Sequence, residues 1–187
     1  MRLKTKCQYL ALAGIMPMIT ACGGGGDSGD NKSITTQSMT LNGQAADGYL
    51  AYAKVCLDLN ADGICGADEP TTQTDGAGDF SLTTTPEQAK AIVLVEVIQG
   101  QTIDLDDGKT VSKSYSLTAP AGSKFVSPLT TLVQKQMEAN PELSYEQAKK
   151  QVDDILGIDT SIDYVSAKSS DTTGAYDKAH KIAQVIA

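Results

Sequence analysis

Residues 53–70 read AKVCLDLNADGICGADEP, and this stretch decides the fold. Ala53, Val55, Leu57 and Leu59 alternate with Lys54, Cys56 and Asp58. A period of two belongs to a β-strand with one buried face. The alternation then runs into Asp58-Leu59-Asn60-Ala61-Asp62-Gly63-Ile64-Cys65-Gly66-Ala67-Asp68-Glu69, which fills every fixed position of the pattern D-x-[DN]-x-[DN]-G-x5-E. Calcium chemistry explains the spacing, because the ion takes roughly six to eight oxygen ligands at about 2.3–2.6 Å. Asp58, Asn60 and Asp62 can converge from a tight loop, and Gly63 permits the sharp turn. Ile64 can offer its carbonyl, and Glu69 can close the shell with two oxygens. A bare Asp/Asn/Gly turn is the competing reading, but it does not require all five fixed positions at once.

The flanks do not suit a helix–loop–helix EF-hand. The incoming residues alternate as a strand, and Pro70 directly after Glu69 resists an outgoing helix. The expectation is therefore a calcium loop carried by a β-domain. Within the strand, Cys56 and Asp58 share the face opposite Val55 and Leu57.

Working outward, residues 41–120 continue as strands and turns. Phe80 and Leu82 alternate in one strand, and residues 92–98 (IVLVEVI) form a β-branched run that reads as a central strand. Ile103 and Leu105 lead into Asp107-Gly108, a hairpin turn, and Val111, Lys113, Tyr115 and Leu117 alternate beyond it. Short strands joined by Gly/Asp turns predict a small antiparallel β-sandwich. The turn Asp104–Gly108 lacks a third ligand position, which Gly108 occupies.

The C-terminal region, 125–187, reads as helical and makes the fold class α+β. Ser127-Pro128 is an N-cap and first-turn pair, and Asn140-Pro141 stops that helix. Ser144 with Gln147 is a capping box. Tyr145, Ala148, Val152, Ile155 and Leu156 share a face of the second helix, which Gly157 ends. After a polar connection over 158–174, Ala175, Tyr176, Ala179, Ile182, Ala183 and Ile186 predict a third helix. It reaches the last residue without a capping signal, as a fragment of a longer chain or a helix docking elsewhere would. His180 is expected on its flank, in solvent.

At the other end, Arg2, Lys4 and Lys6 precede an apolar stretch over 7–20 that is too short to span a bilayer and is interrupted by Pro17. Ile19-Thr20-Ala21-Cys22 resembles the lipobox of a bacterial lipoprotein signal peptide. The resemblance implies that residues 1–21 are removed and that Cys22 is acylated, a lasting membrane anchor. Gly23 stands where an Asp often retains such proteins at the inner membrane, so the outer membrane is the expected location. Residues 22–40, rich in Gly and Ser, read as a lipidated Cys and flexible tether. With Cys7 removed and Cys22 acylated, Cys56 and Cys65 are left in an oxidising compartment. A disulfide between them would close a loop of about ten residues, worth roughly 2–3 kcal/mol. Two free thiols or a two-Cys metal site are the alternatives, though no His lies near for zinc.

Gly43, Asp47-Gly48-Tyr49, Ala53 to Asp58, Glu69-Pro70 and Thr74-Asp75-Gly76-Ala77-Gly78-Asp79-Phe80 resemble carboxypeptidase regulatory-like and collagen-adhesin B-type domains. Those are prealbumin-like β-sandwiches, some with a calcium loop between early strands. The likeness covers residues 41–84 well and 85–120 by pattern. It implies a structural, adhesion or interaction module without an active site. Residues 125–157 also resemble a segment that follows such β-domains in proteobacterial lipoproteins.

Composition narrows function further. The chain has 187 residues, 15 basic against 23 acidic side chains, no Trp and a single His. Loss of Arg2, Lys4 and Lys6 would leave 12 basic against 23 acidic groups, a net charge of −11. Such an acidic chain is a poor partner for nucleic acid. One His and no G-x-S-x-G motif argue against a hydrolase. The expectation is a calcium-binding, lipid-anchored envelope protein whose partners are the membrane and an envelope or extracellular protein. The runner-up is the N-terminal module of a larger surface enzyme or adhesin.

Overall fold

The computed structural model describes residues 37–187. The architecture of the described residues is α+β: ten short strands, then four α-helices. Strand β1 (Met39–Ala45) is followed by β2 (Leu50–Ala51) and β3 (Lys54–Asp58). After the acidic loop come β4 (Thr71–Gln73), β5 (Asp79–Thr84) and β6 (Ile92–Val97). A hairpin of β7 (Ile103–Asp104) and β8 (Lys109–Thr110) leads to β9 (Tyr115–Ala119) and β10 (Phe125–Val126).

These strands form three sheets, ordered β10-β1-β5, β2-β7-β8 and β4-β3-β6-β9. The run IVLVEV is central as expected. Leu57 of β3 faces Val93, and Ala119 of β9 flanks Val93 on the other side. Phe80, Leu82 and Thr84 of β5 are buried while Asp79, Ser81 and Thr83 are exposed, the alternation of a strand covered on one face. One buried cluster draws Leu41, Phe80, Leu82 and Val126 from the first sheet and Val55, Leu57, Val93, Val95 and Leu117 from the third. Each such aliphatic contributes on the order of 1.5–3 kcal/mol through burial.

Three strand details differ from the sequence reading. Pairing is antiparallel throughout except between β1 and β10, where Gln44 lies beside Phe125 in a parallel ladder. Phe125 and Val126, assigned to the helical region by sequence, thus complete a sheet. Residues 111–114 alternate in sequence but lie outside any strand. Leu59, expected inward, is exposed because the chain has already left β3. Both faces of β3 are covered. Val55 and Leu57 join the main core, while Cys56 packs with Cys65 and Leu94 behind it.

Helix boundaries follow the local signals. Helix α1 (Pro128–Ala139) starts at Ser127, whose hydroxyl accepts from the Thr130 amide, while Thr130 Oγ1 accepts from the Ser127 amide at 2.8 Å. Helix α2 (Tyr145–Leu156) carries the expected box, with the Ser144 amide donating to Gln147 Oε1 at 2.9 Å. It ends at Gly157 with φ 65°, a left-handed cap that glycine adopts without a Cβ penalty. Ala148 and Val152 face α1, but Ile155 is 80% exposed and does not join that face. Four residues of the polar connection form α3 (Tyr164–Ala167), and α4 (Ala175–Ile186) follows. Tyr164 is fully buried with Leu129, Ile158, Ala175 and Ala179, and its hydroxyl donates to the Ala46 carbonyl at 3.0 Å. That bond ties α3 and α4 to the turn between β1 and β2.

Candidate metal centre

The acidic loop leaves β3 at Asp58 and returns to β4 at Thr71, so the antiparallel pair holds its two ends side by side. Inside the loop, backbone amides orient each side chain of the expected donor set. Asp58 is 3% exposed; its Oδ1 accepts from the Asp62 amide at 3.2 Å and its Oδ2 from the Gly63 amide at 2.9 Å. The Asp62 amide also donates to Asn60 Oδ1 at 3.1 Å, which draws the Asp58 and Asn60 oxygens toward one another. Asp62 Oδ1 accepts from the Ile64 amide at 2.9 Å, and Asn60 Nδ2 donates to Asp62 Oδ2 at 2.8 Å. Glu69 spans the loop mouth: Oε1 accepts from the Leu59 amide at 2.7 Å and Oε2 from the Gly66 amide at 2.9 Å.

Two left-handed residues make this geometry possible. Gly63 has φ 76° with nothing near the position of a β-carbon, as expected for the residue at the sharp turn. Ala61, with φ 57°, is held in the same region despite its side chain. The pair turns the chain tightly enough for the Asp62, Gly63 and Ile64 amides to point back at preceding side chains.

The outer half of the loop is fixed from behind. Cys56 and Cys65 form a disulfide, with Cα atoms 5.6 Å apart. Lys54 and Glu96, opposite one another on β3 and β6, grip the same residue. Lys54 Nζ donates to the Cys65 carbonyl at 2.8 Å and lies 3.2 Å from Glu96 Oε2. Glu96 Oε1 in turn accepts from the Cys65 amide at 2.9 Å. Sequence reasoning missed this clamp. Its signal was present as the one charged residue inside IVLVEVI and a lysine on the same strand face as Cys56.

Asp58, Asn60, Asp62, Ile64 and Glu69 therefore lie in one loop, and the four side chains are held by backbone donors. Among the described residues, no three His, Cys, Asp or Glu side chains already stand together as a metal cluster. The donors nonetheless fit a hard cation in kind. All are oxygens, and a carboxylate oxygen that accepts one N–H retains a second lone pair. The look-alike stretch at Asp104–Gly108 is a turn, as its missing third position implied. Its Asp104 Oδ1 accepts from the Asp106 amide at 2.9 Å, and β7 and β8 pair on either side.

The signal segment, Cys22 and most of the tether lie outside the described residues. Among the described residues, no helix is long and apolar enough to cross a membrane. No protein-family model, curated protein or solved structure matches the chain.

Proposed function

We propose that this protein is a lipid-anchored, calcium-binding component of the bacterial cell envelope, with a structural or adhesive role. Its β-region would be a prealbumin-like sandwich of the carboxypeptidase regulatory-like or collagen-adhesin B type. The anchor at Cys22 and the outer-membrane location rest on the lipobox and on Gly23. The observation that carries the calcium reading is the hydrogen-bonded loop. Backbone amides orient the side chains of Asp58, Asn60, Asp62 and Glu69, and the disulfide and the Lys54–Glu96 clamp brace Cys65.

Those four side chains and the Ile64 carbonyl would hold the ion, and calcium, when bound, would neutralise the carboxylates of Asp58, Asp62 and Glu69. The chain's own contribution is pre-organisation, since the ligands need not be gathered from a mobile loop. Extracellular calcium modules work at about 10⁻⁴–10⁻³ M, and a braced loop belongs in that range or below it. Magnesium fits less well because it demands a tighter octahedron.

Thermal unfolding in calcium and in EDTA tests the reading. A ligand that binds only the folded state adds about 2.7 kcal/mol at a hundredfold excess over Kd. For a domain of this size that is a rise of roughly 5–11 °C. Coincident midpoints at millimolar calcium would reduce the loop to a turn.

A further inference from the structure

A cleft of about 580 Å³ lies between the β7–β8 hairpin and the last turns of α4. Small-molecule sites run to roughly 300–1,000 Å³. Asp47, from the turn between β1 and β2, lines this cleft with Asp104, Lys113 and His180. His180, expected in solvent, is docked on one edge. Its Nδ1 lies 3.4 Å from Asp47 Oδ1; both atoms are sealed, and neither has another partner among the described residues. A neutral imidazole meets a carboxylate with a hydrogen on Nδ1, which leaves Nε2 as an acceptor. The His180 side chain is still 42% exposed, so its uncovered part is the ring edge that carries Nε2, in the cleft.

The wall of the cleft is negative and lacks a cation of its own. Asp47 is 7% exposed, and its Oδ2 accepts from the Tyr115 hydroxyl at 3.0 Å. Both donors it meets can serve it while neutral. Burial is the main cause that pushes its carboxyl up to about 6. Above that pH it is a buried charge, and buried charges are normally paired. Asp104 Oδ1 accepts from the Asp106 amide at 2.9 Å, which leaves Oδ2 for the cleft. A β-carbon at Gly48 would collide with Asp104 and Asp106, so glycine is what lets them stand there. Among the described residues, no lysine or arginine pairs with Asp47 or Asp104. Lys109 is 3.2 Å from Asp107, and Lys168 is 3.6 Å from Asp106.

The acceptors select the kind of cation. Calcium takes oxygens only, about six to eight of them, and zinc takes three or four protein ligands. Here one carboxylate oxygen and one imidazole nitrogen reach the cleft, since Asp47 Oδ1 is sealed and Asp107 is taken by Lys109. A guanidinium fork prefers both oxygens of one carboxylate, and Asp104 Oδ1 is already engaged. An ammonium has three diverging hydrogens and is served by single acceptors around it. We propose that this cleft binds a primary ammonium group, held by Asp104 Oδ2 and by His180 Nε2, with Asp47 as the positioning residue behind the imidazole. A free amine and an amino acid share that group. Exposed Lys113 would serve the carboxylate of the second.

The chain's one His gives a single imidazole resonance that reports on the cleft. The full chain is titrated at pH 7.5, at constant ionic strength and in EDTA so that the acidic loop is silent. The probes are butylamine, γ-aminobutyrate and butyltrimethylammonium. Butylamine should give a saturable shift, whereas butyltrimethylammonium, with the charge but no N–H, should give none. Asp104→Asn should weaken butylamine by about tenfold or more, the scale of one charge-assisted hydrogen bond. Tighter binding of γ-aminobutyrate that Lys113→Gln removes assigns the group to an amino acid; equal or weaker binding assigns it to a free amine. Imidazole nitrogen shifts should place the hydrogen on Nδ1 in the wild type. If Asp104→Asn does not fold, His180→Phe, which keeps a ring against Tyr176, must lose the thermal stabilisation that butylamine gives the wild type. An unsaturable shift, equal binding of the trimethyl analogue, a hydrogen on Nε2, or undiminished binding in Asp104→Asn overturns the proposal.

Discussion

The chain holds two acid-rich turns that treat the same residue types in opposite ways. In the loop over Asp58–Glu69, backbone amides supply a donor to every carboxylate that faces inward, and Asn60, Asp62 and Ile64 stand in solvent. In the cluster of Asp47, Asp104 and Asp106, backbone donors are fewer, and Asp47 is left with one tyrosine hydroxyl and a nearby imidazole. Both Asp47 and Asp104 are pushed upward, with burial the largest cause in each. Supply of backbone donors, more than acidic composition, separates the two turns.

The sharpest way to break that contrast is to remove the brace on the first turn. Cys56→Ala with Cys65→Ala should cost about 2–5 kcal/mol, the range for losing a native disulfide. Chemical denaturation measures it. Calcium should recover less of that loss than it adds to the wild type, because the ordering of the loop must then be met from binding energy. Equal calcium increments in the two proteins would show that the disulfide stabilises the fold without shaping the loop.

Asp58→Ala comes next. Its carboxylate serves the Asp62 and Gly63 amides, so the loss should be about 1–3 kcal/mol in EDTA, with the calcium increment abolished as well. Asp106→Ala, in the second turn, should leave the calcium increment intact. Calorimetry in calcium and EDTA separates the two.

What the sequence made legible was local. Ser127, Ser144 and Gly157 mark helix ends because a cap is a contact between residues a few positions apart. The loop pattern was legible for the same reason, with all its donors and acceptors inside twelve residues. Illegible features join distant segments. The Lys54–Glu96 grip on Cys65 depends on register between β3 and β6. The parallel ladder of β1 and β10, the burial of Tyr164 against Ala46 and the meeting of Asp47 with His180 depend on how the helices return to the sheets. Ile155 lies on the expected helix stripe yet stays exposed, since α1 and α3 cover only part of α2. Periodicity says which side chains share a face, and only the fold says how much of that face finds a neighbour.

A smaller effect probes the second turn through Tyr115. Its hydroxyl holds the ionised form of Asp47 and counters the upward push of burial. Tyr115→Phe removes that donor, so the Asp47 carboxyl should rise above 6. Stability at pH 8 should fall by about 1–2 kcal/mol, because a buried carboxylate has lost its donor. At pH 5, where the group is protonated in both proteins, the difference should be smaller. Denaturant curves at the two pH values give both numbers.

The smallest predicted effect returns to the first turn and concerns Ala61. Its φ of 57° lies where an L side chain crowds the following carbonyl, at about 1–2 kcal/mol, and glycine does not carry that penalty. Glycine also loses more backbone freedom on folding, worth roughly 0.5–1 kcal/mol in the other direction. Ala61→Gly should therefore stabilise the protein by about 0.5 kcal/mol, read as a small rise in midpoint in EDTA. The same change is informative in calcium. If the left-handed turn at Ala61 persists when Asp58, Asn60 and Asp62 take an ion, the gain should be equal with and without calcium. A gain that disappears in calcium would mean that the bound loop leaves this conformation, and that the backbone amides now holding the carboxylates are partly released when the ion takes over.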